Sequence, residues 1–445
     1  MNYLNVEYLA ETFGFEIGLM TYVVGILMTF PLGFIMSFIP FGTCKHISAA
    51  LLGSYLLYFT LGEQWLHILR TTTISYLMIC MLPRSVTKYA LPVFALSYCS
   101  YAHINRQLND VEWDFSCAQM MLTIKLYSIA WNLWDGEQLT NNTNLERATI
   151  NCKQFAIYET PSLIEFFGYC LNFSTCLIGP VYEFATYKNI CDGNLVTNYY
   201  KKYGKYPSRT KHVVIPLLIS LFFAVYYLYF ADDYYILRDG VSNVGGKSIF
   251  YLVFAFSIFK AKFYFAWKAM EAANNLWYAG FEGLDGKGEI IGWDHTNNVD
   301  IWAIETAPNL KTFSRSWNKK TSNWLNRYVF QRHKGNPLIV YSVSAFWHGF
   351  YPGYYIAFIS AAFASLCERI GRERVSPIFG NSIIYNLFCI AMMQCLVAYI
   401  NLTFVLLSLD KSYEALKSQY FWGHIGLVLF YFICPLFVKK HQSYQ

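Results

Sequence analysis

Charged side chains are scarce in this chain. Only 14% of its 445 residues are Asp, Glu, Lys or Arg, and 55% are hydrophobic, whereas a water-soluble domain of this size carries about 25% charged residues. The deficit excludes a surface that is mostly in contact with water, and lipid is the obvious alternative. The composition therefore predicts a polytopic membrane protein whose main partner is the lipid bilayer, with no nucleic-acid partner.

The chain also lacks paired cysteine motifs. It has twelve cysteines but no CxxC pair, and most of them lie inside apolar segments, as Cys80, Cys170 and Cys389 do. Cysteines in such positions are typical small hydrophobic core residues. We therefore predict neither a disulfide framework nor a zinc or other metal site.

Long apolar runs are abundant. A helix that crosses the bilayer needs about 20 mostly apolar residues, and about ten such segments occur. The first is too long for a secretory signal and is preceded by acidic residues, not basic ones. No internal repeat or linker divides the chain, so residues 1–445 are predicted to form a single membrane domain. The candidate spans are 17–41, 47–69, 74–99 (interrupted by Pro83 and Arg84), 117–134, 161–187, 213–236, 248–270, 336–366, 380–409 and 421–438.

The longest polar excursion covers residues 274–334. Its first part is rich in Gly, Asn and Asp, which predicts irregular loop or short strands. Its second part, "TFSRSWNKKTSNWLNRYVFQRHK", has no acidic residue, and its rings are spaced to line one face of a helix. This indicates a basic amphipathic helix at the membrane interface, which either anchors to anionic lipid or docks a phosphate-rich ligand. The rings are Phe313, Trp317, Trp324 and Tyr328, and the basic residues are Lys311, Arg315, Lys319, Lys320, Arg327, Arg332 and Lys334.

A histidine lies in an otherwise uncharged segment. His348 is followed by Gly349, Pro352 and Gly353, which should break the helix directly after it. Irregular backbone at bilayer depth persists only where protein buries it or a wet cavity adjoins it. We therefore expect the imidazole to face an internal cavity, where a neutral ring could act as a general base toward a hydroxyl. A packed, hydrogen-bonded histidine is the alternative.

An amide lies thirty residues earlier. Asn318, inside the basic stretch, could hold an acceptor group or stabilise an oxyanion. A helix N-cap or an interface hydrogen bond is the alternative, and the chemistry of the residue alone favours it.

The two blocks, "SWNKKTSNWLNRYVFQR" and "WHGFYPGYYIAF", together resemble the membrane-bound O-acyltransferase family, and in particular its lysophospholipid acyltransferases. Further elements of that subgroup follow the same order along residues 115–425. These are "NLWDG" with Trp134 and Asp135, the Gly-Pro turn in "FSTCLIGPVYEF", "YINLTF" with Tyr399 and Phe404, and "YFWGH" ending at His424.

The resemblance implies an all-α fold of about ten to eleven transmembrane helices around a central reaction chamber. It implies His348 as the catalytic base and Asn318 as its catalytic partner. The co-substrate would be acyl-CoA, with no bound cofactor, the acceptor would be a lysophospholipid, and the membrane would be the endoplasmic reticulum. Substrate-binding residues are then expected among Trp317, Arg315, Lys319, Lys320, Trp324, Arg327, Tyr328, Tyr354 and Tyr355.

Two alternatives remain open at the level of sequence. A transporter or channel would explain the spans and the interrupted helix, although ionisable residues such as Lys125 and Lys260 form no obvious relay. A second branch of the same family would acylate diacylglycerol, a sterol or a protein.

Overall fold

Helices are the main secondary structure of the computed structural model, which describes residues 5–109, 113–141, 150–239, 249–333, 335–380 and 382–438. Within these ranges there is no strand, and the only β-pairing is one isolated bridge between Leu284 and Ile290. The residues from 276 to 300 are irregular, as the Gly- and Asn-rich composition predicted. Lys334 lies outside the described residues.

Among the described residues the first twelve helices are α1 Val6–Phe13, α2 Ile17–Phe38, α3 Thr43–Leu61, α4 Trp65–Met81, α5 Arg84–Leu108, α6 Ser116–Thr140, α7 Ile150–Phe155, α8 Leu163–Leu171, α9 Phe184–Cys191, α10 Asn194–Tyr203, α11 Thr210–Asp239 and α12 Ile249–Asn275. The remaining nine are α13 Ile301–Glu305, α14 Leu310–Ser316, α15 Lys319–Trp324, α16 Pro337–His348, α17 Pro352–Ile370, α18 Ser376–Phe379, α19 Ile383–Leu406, α20 Leu409–Ser418 and α21 Trp422–Phe437. Two π-helical segments, Leu325–Phe330 and Gly371–Val375, follow α15 and α17.

Four of the described helices are long and apolar enough to cross a membrane, namely α2, the Thr210–Ala231 part of α11, α12 and α19. A fifth span arises if α20 and α21, which meet at 74°, are taken as one bent element. The chain is thus an all-helical membrane protein. The count of ten to eleven spans stays a prediction.

Three predicted spans have a different helical structure. Segment 161–187 contains only α8 and the start of α9, because a non-helical stretch with a cis Gly179–Pro180 bond separates them. The two spans predicted at 47–69 and 74–99 are three helices, α3, α4 and α5. Gly62, with a φ of 56°, ends α3, and Pro83 precedes the first residue of α5. The interruption at Pro83 was predicted, whereas a hydropathy window does not detect the breaks at Gly62 and at Gly179–Pro180.

The described residues divide into two compact units. The first comprises Met1–Leu221 and Ala266–Asn298, and the second comprises Phe222–Phe265 and Val299–Gln445. In the first unit a buried charge joins two helices, since Lys125 of α6 donates from Nζ to the carbonyls of Tyr169 and Cys170, both at 3.0 Å, and to Thr175 Oγ1 at 2.7 Å. These carbonyls end α8, so the ammonium acts as its C-terminal cap. The single-domain prediction is not decided by this division.

Helix α17 is at the centre of the second unit. It packs against α14, α16, α19 and α21. His424 of α21 joins three of these helices: one imidazole nitrogen lies 2.9 Å from Ser360 Oγ on α17, and the other lies 2.7 Å from Tyr399 Oη on α19. His424 thus lies in the packing between α17, α19 and α21.

Candidate active site

The helix break after His348 is present as predicted. Helix α16 begins at Pro337, where the Asn336 side chain accepts a hydrogen bond from the Leu338 amide at 3.0 Å, and it ends at His348. Gly349 has φ 117° and ψ −165°, a conformation that essentially only glycine adopts. Proline at the first position of α17 then starts the next helix, because its missing N–H costs nothing there.

Four aromatic rings surround the imidazole of His348. Its ring centroid lies 4.8 Å from Trp347, 5.6 Å from Tyr354, 5.3 Å from Phe358 and 5.2 Å from Phe404. The histidine is half-buried.

Gly353 explains why Phe404 reaches the histidine. The Gly353 amide donates to the Leu407 carbonyl at 2.7 Å, and Thr403 Oγ1 donates to the Gly353 carbonyl at 3.2 Å. A Cβ atom at Gly353 would collide with the Thr403 carbonyl. Helices α17 and α19 therefore approach most closely where only glycine fits, and this approach holds Phe404 against His348.

The predicted continuous basic helix is wrong, because it breaks at Asn318. Helix α14 ends at Ser316, Trp317 is extended with φ −90° and ψ 128°, and Asn318 is left-handed with φ 45° and ψ 54°. Asparagine tolerates this conformation far better than most residues. Its side chain makes no capping hydrogen bond to α15, so the N-cap alternative for its amide is not what the structure shows.

Trp317, next to Asn318, is held by rings on two elements. Its centroid lies 6.2 Å from Phe313 with the rings nearly parallel, 5.5 Å from Phe263 and 5.9 Å from Tyr264. The last two residues belong to α12. The bend at Asn318 is thus packed against a membrane-spanning helix.

The segments of His348 and Asn318 lie side by side. Trp324 at the end of α15 and Trp347, the residue before the histidine, are both buried, with ring centroids 6.2 Å apart. The π-helix that follows α15 packs against α16, and π-helical turns are frequent at functional sites. The structure therefore brings the two candidate catalytic residues into one region of the second unit.

The other candidate residues are distributed around this region. Trp324 and Tyr328 are buried, whereas Arg315 is exposed. The remaining candidates, Lys319, Lys320, Arg327, Tyr354 and Tyr355, are half-buried. Tyr354 is the member that contacts His348.

A polar cluster beside Trp317 was missed by the sequence reasoning. Lys260 of α12 is 2% exposed, and its ammonium lies 2.7 Å from a carboxylate oxygen of Glu305. Tyr264 donates to the other oxygen of that carboxylate at 2.7 Å, and the Gln394 amide donates to the carbonyls of Ile304 and Glu305 at 2.9 and 3.2 Å. The available signal was Lys260 itself, since a charge inside a span implies a partner.

Comparison with known proteins agrees with these features. The model of the membrane-bound O-acyltransferase family matches residues 100–409. A membrane-bound glycerophospholipid O-acyltransferase 2 of Gallus gallus is 31% identical over 430 residues, which cover 90% of this chain and 82% of the relative. A membrane-bound glycerophospholipid O-acyltransferase 1 of Homo sapiens is 28% identical and covers 90% and 84% of the two chains.

A lysophospholipid acyltransferase of Saccharomyces cerevisiae is 27% identical over 464 residues, which cover 95% of this chain and 74% of the relative. The family match extends over well more than half of the chain and includes the Asn318 bend, the His348 break and Phe404. This chain belongs to the membrane-bound O-acyltransferase family.

Proposed function

We propose that this protein transfers a fatty acyl group from acyl-CoA to the free glycerol hydroxyl of a lysophospholipid, as in phospholipid remodelling. The observation that carries the proposal is the broken end of α16, which holds His348 inside a ring cage beside the Asn318 segment. The names of the relatives, which are acyltransferases of glycerophospholipids and lysophospholipids, support the same acceptor class. Incubation of the purified protein with acyl-CoA and a panel of lysophospholipids tests it.

The chemistry needs one base and one site for negative charge. His348 takes the proton of the glycerol hydroxyl as its oxygen attacks the thioester carbonyl carbon. The resulting tetrahedral intermediate collapses as the carbon–sulfur bond breaks, and the imidazolium returns its proton to the departing CoA thiolate. The products are a diacyl phospholipid and free CoA, and the histidine is neutral again.

We assign the stabilisation of this negative charge to the side-chain amide of Asn318. Its left-handed backbone turns the chain between two helices, and its N–H₂ group can donate to the thioester oxygen as that oxygen becomes negative. Trp317, packed against α12, fixes the position of this turn.

The basic residues near the bend form the docking rim for CoA. Arg315 is exposed, and Lys319 and Lys320 begin α15 directly after Asn318. CoA carries several phosphate charges, so cations at this place raise its local concentration beside the reacting groups. The buried rings of Trp324 and Tyr328 stabilise the helical segment that carries these cations.

Reversing both charges in Lys319→Glu/Lys320→Glu is expected to raise the KM for acyl-CoA about tenfold, equivalent to ~1.4 kcal/mol of binding, and to change kcat little. The physical reason is that the anionic nucleotide loses an attractive rim and meets a repulsive one. Steady-state kinetics at two ionic strengths measure this, and the difference from wild type should shrink at high salt.

The matched control makes the same change of charge on exposed residues of α20, in Lys411→Glu/Lys417→Glu. Its KM for acyl-CoA should equal that of the wild type. An unchanged KM in the Lys319/Lys320 variant would show that this segment does not bind CoA and serves as a membrane anchor.

The Lys260–Glu305–Tyr264 cluster positions the bend. Tyr264 is hydrogen-bonded to Glu305 and lies against Trp317, and Phe259, also on α12, lies 6.3 Å from Phe404 in the ring cage of His348. Residues of α12 therefore contact the surroundings of both candidate catalytic residues, and the ion pair between the buried Lys260 and the half-buried Glu305 ties α12 to α13.

Lys260→Met is expected to lower kcat about 10- to 100-fold, because small displacements of reacting groups have effects of this size, and to leave the KM for acyl-CoA unchanged. The second change in Lys260→Met/Glu305→Gln removes the unpaired carboxylate and should restore part of the kcat. Kinetics per mole of folded protein provide the measurement. If the loss lay wholly in the amount of folded protein, the positioning role would be wrong.

The protein is proposed to reside in the endoplasmic reticulum membrane, to receive acyl-CoA from the cytosol and to take its lysophospholipid from the bilayer. The basic residues of the rim favour the cytosolic side by the positive-inside tendency. A central chamber within ten to eleven spans would join the two entrances at His348. No feature of the structure favours a transporter, a channel or another acceptor class as a second function.

A further inference from the structure

A cavity of about 970 Å³ lies in the second unit, between α17, α19 and α21. None of the residues assigned to acyl transfer lines it. Its walls are mainly apolar, and they include Met393, Leu396, Trp422 and Leu427. This α19 cavity is therefore a feature separate from the candidate active site.

The directions of the three helices show that the cavity has a polar end and an apolar end. The start of α17 meets the end of α19 at Gly353 and Thr403, so these two helices are antiparallel. The guanidinium of Arg374 donates to the carbonyl of Val438 at 2.6 Å, which places the end of α21 beside the end of α17. The end of α17, the start of α19 and the end of α21 thus share one side of the unit.

The polar lining residues are on that side. They include Glu368, Arg372, Ser376, Ser382 and Asn386. Arg372 is half exposed, with its Nε atom 3.5 Å from Glu368 Oε1, and the same segment also holds Arg369, Glu373 and Arg374. From there the lining follows α19 from Ile383 to Leu396, a distance of about 20 Å at 1.5 Å per residue.

The cavity opens toward lipid along α19. Ile383, Leu387 and Phe388 line it and are also 77%, 61% and 60% exposed, on a helix long enough to cross the membrane. Apolar space of this size is not stabilised by water. Hydrocarbon chains are the medium that such a surface meets in a bilayer.

Two glycines leave this space unfilled. A Cβ atom at Gly426 would meet nothing within 4 Å, and one at Gly371 would meet only Phe430, at 3.6 Å. At Gly423, one turn earlier, a Cβ atom would instead collide with the Tyr399 ring. Close helix packing thus requires glycine at position 423, whereas packing within the chain does not explain it at 426.

We propose that the α19 cavity binds one glycerophospholipid of the bilayer, with its phosphate at Arg372 and an acyl chain along α19 toward Trp422. Guanidinium groups pair strongly with phosphates, and basic pockets between membrane helices bind lipid headgroups. The length of the cavity, its single charged end and its opening toward the bilayer match this amphipathic ligand. The proposal does not depend on the acyl-transfer mechanism.

The test is photolabelling of the full-length protein in liposomes that contain a phosphatidylcholine with a photoreactive acyl chain. The label is expected on peptides of α19 and α21. Gly426→Phe, whose Cβ atom meets nothing within 4 Å and whose ring would occupy the cavity, should reduce this labelling about tenfold, equivalent to ~1.4 kcal/mol of binding. Leu429→Phe, an exposed position on α21 outside the lining, is the matched control and should label like the wild type.

A second comparison tests the phosphate contact. Arg372→Gln should reduce labelling by the phospholipid but not by a photoreactive diacylglycerol, which has no phosphate. Equal labelling of wild type and Gly426→Phe would overturn the proposal. Equal labelling of wild type and Arg372→Gln by the phospholipid would overturn it as well. Cross-linking of α19 to a second copy of the chain would also overturn it, because the occupant would then be protein.

Discussion

Replacing His348 by alanine is expected to abolish measurable acyl transfer while the protein still accumulates in the membrane. Removing a general base costs about 10²- to 10⁴-fold in rate, or ~3–5.5 kcal/mol of barrier. The loss should appear in kcat. The KM for acyl-CoA should change little, because the residues proposed to bind CoA are those of the basic rim and do not include the imidazole. Microsomal assays of acyl transfer, normalised to protein amount, provide the measurement.

Two further variants separate chemistry from packing. His348→Gln approximates the size of the imidazole and can hydrogen-bond, yet it cannot take a proton at neutral pH, so it should be as inactive as His348→Ala. Ser342→Ala changes an exposed residue on the same helix and should retain wild-type turnover. Activity of the glutamine variant near that of wild type would show that His348 is a packed ring and not a base.

Loss of the Asn318 amide is expected to lower kcat about 10²- to 10³-fold, the range observed when one oxyanion donor is removed. The difficulty is that Asn318 also holds a left-handed turn with φ 45°, which alanine adopts only at a cost. Asn318→Gly removes the amide but tolerates this backbone conformation. We therefore expect glycine and alanine at this position to be about equally slow, as measured by kcat per folded enzyme.

Asn318→Asp adds an independent test. The side chain keeps its size and its tolerance of the left-handed turn, but a carboxylate repels the oxygen that becomes negative, so this variant should be no faster than the alanine one. If Asn318→Gly turned over like the wild type, the residue would serve the backbone turn alone, and its proposed contact with the reacting carbonyl would be contradicted.

The break after His348 could be predicted because its causes are local. Gly349 permits a backbone conformation closed to other residues and Pro352 fixes its own φ, and the observed end of α16 and start of α17 follow from them. The close approach of α17 and α19 at Gly353 could not be predicted, because it depends on the carbonyl of Thr403, fifty residues away. The ring cage of His348 depends on this non-local contact through Phe404.

The bend at Asn318 was not predicted from the sequence. Ring spacing from Phe313 to Tyr328 fits one helix, and no proline or glycine interrupts it. Contacts of Trp317 with Phe263 and Tyr264 on α12 stabilise the extended conformation that breaks the periodicity. Tertiary packing outweighs helical propensity here, since propensity differences are a few tenths of a kcal/mol per residue. The partnership of Lys260 with Glu305 was missed for the same reason.

The most direct test of the account measures both products of one reaction. Purified protein in liposomes is given acyl-CoA with a labelled acyl chain and lysophosphatidylcholine, lysophosphatidylethanolamine, lysophosphatidylserine or lysophosphatidylinositol, and diacyl phospholipid and free CoA thiol are quantified together. The account predicts that at least one acceptor yields one ester per thiol released, at a rate that vanishes in His348→Ala. Absence of ester with every lysophospholipid, or equal ester formation in wild type and His348→Ala, would contradict it.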